Sequence, residues 1–257
     1  MQGKYKRFWL SACVTAALLA AWEITARSGV FSAFVFPPLE KIGTAFVSMV
    51  KTGEIFGNLL RSILRVAAGF LISFVLAFLL GIPAALCKKA DPFYRHILEF
   101  LRNVPPMSLI PLLILWFGIG EVPKIIVIVL TSFFPIFINT EAGLRGCDPK
   151  LLEVGETLHM RKKEIFLKIR LPSALPDILV GMQIGLGYSW RAIVGAEMIA
   201  ASKGLGYMIL DAQALSRTDK VLVGILLIGI IGCVTDKLFG LCVKAVGRHM
   251  RVSAEER

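Results

Sequence analysis

The chain has 257 residues, of which 56% are hydrophobic and only 18% charged, and its mean hydropathy is +0.73. Soluble domains carry roughly 45–50% apolar and about 25% charged residues, so the composition argues against a soluble enzyme, a disordered chain or a disulfide scaffold and for an integral membrane protein. A formal charge of +11 fits either a nucleic-acid footprint or Lys and Arg held on the cytoplasmic side of membrane spans, and position along the chain decides between them.

A bilayer core of roughly 30 Å needs about 20 mostly apolar helical residues. Phe8–Ala26 is the first candidate, interrupted by Glu23; Lys4, Lys6 and Arg7 before it also suit a secretory signal, but Trp22 and Glu23 blur the cleavage pattern, so it reads as a span. Leu39–Lys51 places Ile42, Ala45, Phe46, Met49 and Val50 at helical spacing, which predicts a short amphipathic helix lying at the outer interface. Val66–Cys87 follows as a run of 22 residues without a charge. Pro105-Pro106 then separates a short cytoplasmic-side helix, Pro92–Arg102, from a span over Asn103–Gly120, and Gly120-Glu-Val-Pro123 reads as a tight outer turn. Ile125–Thr140, extended at its start by Val122 and Pro123, is the fourth span; Pro105, Pro106, Pro111 and Pro135 remove backbone donors and should kink or break the third and fourth. Ile178–Ala201 is the fifth, and Val221–Thr235, continued past Asp236 and Lys237 to Val243, the sixth.

Six spans put both termini on one face. With the N-terminus in the cytoplasm, the inner segments hold 18 Lys and Arg and the outer ones nine, as the positive-inside rule requires. Most of the charge is therefore topology, and no aromatic-interleaved basic patch points to nucleic acid. Cys13, Cys87, Cys147, Cys233 and Cys242 form no CxxC pair, and read as small apolar residues without a disulfide framework or zinc site.

One connection is not linker-like. Ala142–Asp177 contains seven Lys/Arg and five Asp/Glu. Pro149–Leu158 has a helix-start proline with Leu151, Leu152, Val154 and Leu158 at helical spacing. Lys163–Leu171 predicts a second amphipathic helix carrying Ile165, Phe166, Ile169 and Leu171, which Pro172 should end, with Pro176 opening the next span. Such a pair of helices forms an apolar-plus-charged platform suited to a groove on a partner.

Within that platform Glu153, Gly155, His159, Ile169, Leu171 and Pro172 fall at the spacing of the E-A-A-x3-G-x9-I-x-L-P motif, and the segment resembles the cytoplasmic loop of ABC importer permeases. Val154-Gly155 replaces the paired alanines and His159 the glycine, which questions the tight packing at that bend but not the register. The stretches Arg102–Glu121, Ala174–Gly187 and Ala196–Gly206 are similar to permeases of the nitrate/sulfonate/taurine group, which also includes thiamine-precursor and riboflavin-type uptake. The resemblance covers roughly residues 58–245, with 1–57 as an N-terminal helix plus outer amphipathic segment and 246–257 as a cytoplasmic tail. It implies an all-α, type I importer permease fold in the plasma (inner) membrane. It also implies two permease copies forming the pathway, two ATP-binding subunits, and an extracytoplasmic binding protein that delivers solute. In that family the platform is the coupling segment, which assigns ATPase contact to Glu153, Glu156, His159, Met160, Arg161 and Lys162.

The chain has no G-x-x-x-x-G-K-[ST] loop, so ATP and Mg would belong to the partner. His96, His159 and His249 lack metal-ligand spacing, and no nucleophilic constellation supports an intramembrane enzyme. A self-sufficient channel or secondary carrier is the alternative; it would need no platform and would be favoured by internal repeats. Ionisable groups in spans are functional suspects. Arg191 could attract an anionic solute in the pathway and Glu197 could meet it too; the other reading for both is a helix-to-helix salt bridge, or for Glu197 a position near the outer surface, and Trp190 and Tyr188 read as pathway-lining or as aromatic packing. Glu141 reads as the cytoplasmic end of the fourth span, and Asp236 with Lys237 as a structural pair to another helix. Gly181-x3-Gly185 reads as a close-packing face, with flexibility at Gly185 and Gly187 as the other possibility.

Overall fold

The structure, a computed structural model, describes residues 2–87 and 91–255, with side chains at 9, 10, 12–87 and 94–244. The described residues are all helical or irregular. In chain order the helices are α1 (Gln2–Arg27), α2 (Leu39–Lys51), α3 (Glu54–Leu86), α4 (Asp91–Asn103), α5 (Ile110–Phe117), α6 (Glu121–Arg145), α7 (Pro149–Thr157), α8 (Lys162–Ile165), α9 (Leu171–Ala200), α10 (Leu205–Ala214) and α11 (Thr218–Glu255). Three stretches, Glu54–Leu86, Glu121–Arg145 and Thr218–Lys244, are long and apolar enough to cross a membrane singly. Two bent pairs raise the number to five: Tyr94–Asn103 with Pro106–Phe117 at 85°, and Lys162–Ala200 with Leu205–Ala214 at 45°. The expected first span lies in α1 but includes Phe8 and Ser11, whose side chains are outside the described residues. Among the described residues, then, three to five spans stand against the six expected, and the expected first one falls partly outside them.

α6 is the centre of the bundle, packed between α3 and α9. In lipid, apolar burial does not drive helices together, so close van der Waals approach and interhelical hydrogen bonds must do so. Beyond Ile55, Arg65 and Val66, the buried face of α3 is accordingly a stripe of small residues: Ser62, Gly69, Ser73, Ala77, Gly81, Ala84 and Ala85. Ser73 Oγ donates to Val129 O at 2.8 Å across to α6, and Ser132 Oγ lies 2.7 Å from Ser73 Oγ. On the other side of α6 a Cβ added at Gly181 would fall 2.6 Å from Asn139 Cβ and 2.8 Å from Pro135 O. One at Gly185 would fall 3.0 Å from Ile136 Cγ1, whereas Gly187 faces open space. Gly181 and Gly185 thus serve close helix approach.

Proline behaved differently at different places. Pro105 is extended (φ −63°, ψ 120°) and ends α4, so Asn103–Gly120 is not one straight span; only a 3-10 turn (Pro106–Leu109) and α5 are helical, with Pro111 in the first turn. Pro135 does not break α6, where its carbonyl accepts from Asn139 Nδ2 at 2.8 Å. The turn before α6 closes at Gly118 (φ +74°) and Gly120, so Glu121 and Pro123 already belong to the helix. Pro172 does not stop the chain after the platform either. Residues 166–170 form a wide π turn in which Leu171 N–H reaches Phe166 O, and α9 runs on through Pro172 and Pro176. A proline ring collides with the carbonyl four residues earlier; the wider turn shifts that carbonyl away, so the expected second amphipathic helix becomes α8 plus a π turn fused to the membrane helix.

α2 has its predicted apolar stripe, of which Ile42, Ala45 and Met49 are buried against the core while Phe46 is exposed. α2 contacts α3 and α11, and Val66, Trp190, Ile193 and Leu205 belong to the same cluster. At the other end of the bundle, Glu141 pairs with Arg145 at 2.9 Å and accepts from Tyr94 Oη at 2.9 Å, tying α4 to α6. Asp236 accepts from Gln183 Nε2 of α9 at 2.9 Å, so its contact to another helix is a hydrogen bond to an amide.

Candidate functional site

Two regions carry chemistry, one at each end of the bundle. The first is the platform. Asp148 caps α7 by accepting from Lys150 N–H at 2.9 Å, and Pro149 takes the first helical position, where no donor is needed. Gly155 is buried, and a Cβ there would fall 2.8 Å from Ile169 Cδ1 and 3.1 Å from Ile165 Cγ1. The packing questioned by the Val154-Gly155 departure is therefore tight, and glycine permits it. His159 has φ +53°, the left-handed region that favours glycine, with Nδ1 3.1 Å from Thr157 O. Glu164 accepts from Arg161 N–H at 3.0 Å and starts α8. Glu153, Glu156, Arg161 and Lys162 are exposed, Met160 is half-buried, and Leu151, Val154 and Leu158 are exposed apolar residues on α7. Ile169 and Leu171 turn inward, Leu171 towards the core of α6 and α9, and Pro172 is exposed. A short helix packed through Gly155 against Ile165 and Ile169 thus presents a mixed apolar and charged face.

The second region is a buried charge cluster. Arg65 of α3 is 6% exposed and Glu197 of α9 fully buried, with Nη1 to Oε1 at 2.7 Å. Glu197 also accepts from Ser62 Oγ at 2.8 Å and from Gly206 N–H, at the start of α10, at 3.0 Å; a helix N-terminus supplies free donors and a favourable dipole for a carboxylate. Any side chain at Gly204 (φ +135°) would meet the Glu197 carboxylate, and Leu205 N–H donates to Ser62 Oγ at 3.0 Å. The Ser202–Gly206 turn is therefore folded around Glu197. Arg65 also donates to Lys203 O at 2.6 Å and to both oxygens of Glu121, which accepts from buried Lys124 at 2.9 Å. α3, α6, α9 and α10 meet here, and the polar groups satisfy one another, as burial demands.

The four sequence-selected pathway residues divide. Glu197 forms the interhelical ion pair, and Trp190 is 6% exposed in the core cluster shared with α2. Tyr188 is 42% exposed, and Arg191 is exposed with its guanidinium 5.5 Å from the Tyr188 ring, so these two share an open face of α9. Arg65, Ser62, Glu121 and Lys124 were not among the pathway residues the sequence points to. The available clue was period: Ser62, Arg65, Gly69 and Ser73 lie three or four residues apart, on one helix face.

A family described as "Binding-protein-dependent transport system inner membrane component" matches residues 73–248. The chain is 40% identical over 240 residues to a Bacillus subtilis protein named as an aliphatic sulfonates transport permease, SsuC, covering 93% of this chain and 87% of that one. It is 36% identical to the taurine transport system permease protein TauC of Escherichia coli, over 86% of this chain and 82% of that protein. It is 32% identical to the nitrate import permease protein NrtB of Leptolyngbya laminosa, over 75% and 69%. Among solved structures, an amino acid ABC transporter matches with TM-score 0.66 at 16% identity, covering 78% of this chain and 98% of that one, and the inward-facing MetNI methionine ABC transporter with TM-score 0.61 at 18%, covering 73% and 95%. At those identities the structural likeness establishes the fold, which is that of a type I importer permease. The chain belongs to the binding-protein-dependent transport inner-membrane component family: it is a multi-pass membrane permease subunit of an ABC importer, not an enzyme, and the ATPase is a separate subunit.

Proposed function

We propose that this permease pairs with a second copy of itself to form the pathway for a small oxyanion, and that α7 seats it on an ATP-binding subunit. The observation that carries the coupling assignment is the exposure of Leu151 (48%), Val154 (54%) and Leu158 (67%) on a helix whose Gly155 is locked to Ile165 and Ile169. Glu153, Glu156, His159, Met160, Arg161 and Lys162 supply the polar contacts around that apolar strip. When two ATPases close on ATP, the α7 helices are drawn together, and the π turn joining α8 to α9 carries the movement into the membrane helix, biasing one of two bundle arrangements.

The relatives named for sulfonates, taurine and nitrate support an oxyanion as solute. Arg191 and Tyr188, on the open face of α9, are the groups that would meet it. Six spans, both termini in the cytoplasm, a core over 58–245 flanked by 1–57 and 246–257, and delivery by an extracytoplasmic binding protein complete the reading. The test is ATP-driven uptake by the assembled importer in proteoliposomes, comparing an alkanesulfonate, taurine and nitrate with neutral and cationic solutes. Uptake of at least one of the three is expected; uptake confined to neutral or cationic solutes refutes the oxyanion.

A further inference from the structure

Arg65 has more binding capacity than an interhelical lock requires. One edge of its guanidinium is fixed: Nη1 donates to fully buried Glu197 and to Lys203 O. The other edge is a two-donor fork, with Nε to Glu121 Oε2 at 2.6 Å and Nη2 to Glu121 Oε1 at 2.7 Å. Glu121 differs from Glu197 in its freedom. Its side chain is 57% exposed, and it is the first residue of α6 after the Gly118–Gly120 turn. Lys124, whose side chain is 3% exposed, adds an ammonium 2.9 Å from the same Oε1.

The charges of Arg65, Lys124, Glu121 and Glu197 balance. If the Glu121 carboxylate swings outward, Arg65 stays in place on Glu197, and one net positive charge is left with three donors aimed at a single position. A buried charge without a counterion is unfavourable, so the vacated position attracts an anion. The guanidinium fork matches two oxygens of a sulfonate or nitrate as well as it matches a carboxylate.

We propose that the Arg65 fork and Lys124 form an oxyanion-binding site near the start of α6, closed in this conformation by Glu121 as a tethered stand-in for the ligand. The inference rests on the oxyanion reading of the transported solute and adds a gated station for it. No bond is made or broken; one carboxylate exchanges for one small oxyanion, and the Arg65–Glu197 lock persists through the exchange.

The test uses the purified permease–ATPase complex in nanodiscs, titrated with methanesulfonate, nitrate or chloride at constant ionic strength. A tethered carboxylate competes at an effective concentration in the millimolar range or above, so Glu121→Gln should bind methanesulfonate about tenfold tighter or more than wild type. Chloride should show no such gain, and Glu121→Gln with Lys124→Met should lose it. Equal affinity in wild type and Glu121→Gln, an equal gain for chloride, or indifference to Lys124→Met overturns the site. If Glu121→Gln does not assemble, Lys124→Met alone must weaken methanesulfonate binding, and unchanged binding overturns the proposal. Uptake by the wild-type importer separates the two levels. Oxyanion uptake without any Glu121 effect on binding refutes the site alone; Glu121-gated binding without oxyanion uptake refutes the solute reading alone.

Discussion

Replacing Glu197 by alanine tests whether the bundle is held at the Arg65 end by one buried carboxylate. The substitution takes the carboxylate from Arg65 Nη1, which keeps only the Lys203 carbonyl, and leaves Ser62 Oγ and Gly206 N–H without the acceptor they use. Removing one partner of a buried ion pair costs about 3–5 kcal/mol, because the remaining charge loses its compensation. Arg65 keeps Glu121 as a second partner, which favours the lower end of that range. Glu197→Gln retains an acceptor but not the charge and should cost roughly half as much. Arg65→Met with Glu197→Met should cost less than the two single changes added together, with a coupling of about 1–3 kcal/mol; Glu121, exposed and still paired with Lys124, remains solvated in that variant. The assay is reversible unfolding in mixed micelles followed by tryptophan fluorescence. A Glu197→Ala variant within about 0.5 kcal/mol of wild type, or additive single and double variants, would refute the lock.

Other consequences follow from particular residues. His159→Gly removes a non-glycine residue from φ +53° and should stabilise the platform by up to about 1 kcal/mol, read as a higher melting temperature of the assembled complex. Gly181→Leu drives a side chain into Asn139 and the Pro135 carbonyl and should abolish assembly, whereas Gly187→Ala, which meets nothing within 4 Å, should be neutral or stabilising by roughly 0.5–1 kcal/mol; thermal melts of the two purified variants check the contrast. Arg191→Met in the assembled importer should raise the apparent KM for an oxyanion solute, and an unchanged KM removes Arg191 from the pathway.

The fold and the platform were readable in the sequence to the extent that periodicity and registered motifs carry them. The apolar runs located α3, α6, α9 and α11 because each is long; α3, α6 and α11 reach bilayer length alone, and α9 as part of the bent pair with α10. The α7 face was visible in Leu151, Val154 and Leu158. What was not visible depended on partners distant in sequence. Arg65 and Glu197 are 132 residues apart, and nothing local to either says that they meet. Pro172 failed as a stop signal because a π turn, which single-residue propensities do not report, precedes it and leaves it in the first turn of α9, where proline is tolerated. The apolar stripe of α2 was found, but its burial against protein rather than lipid depends on α3 and α11 closing over it, since an amphipathic pattern is the same for either environment. Glycine told most where its neighbours were known: Gly155 departs from the paired-alanine pattern, yet its missing Cβ is what lets α7 approach Ile169.

On the proposed function, α7 is the surface through which this permease receives the work of ATP. Copurification of the ATP-binding subunit with the Glu153→Lys permease, alongside a check of membrane insertion and solute uptake, tests that most directly. Normal insertion with at least about a tenfold loss of ATPase retention, as expected when a like charge or lost pair costs roughly 1.4 kcal/mol or more at an interface, is the predicted result. A variant that inserts, retains its ATPase and transports at the wild-type rate would contradict the account.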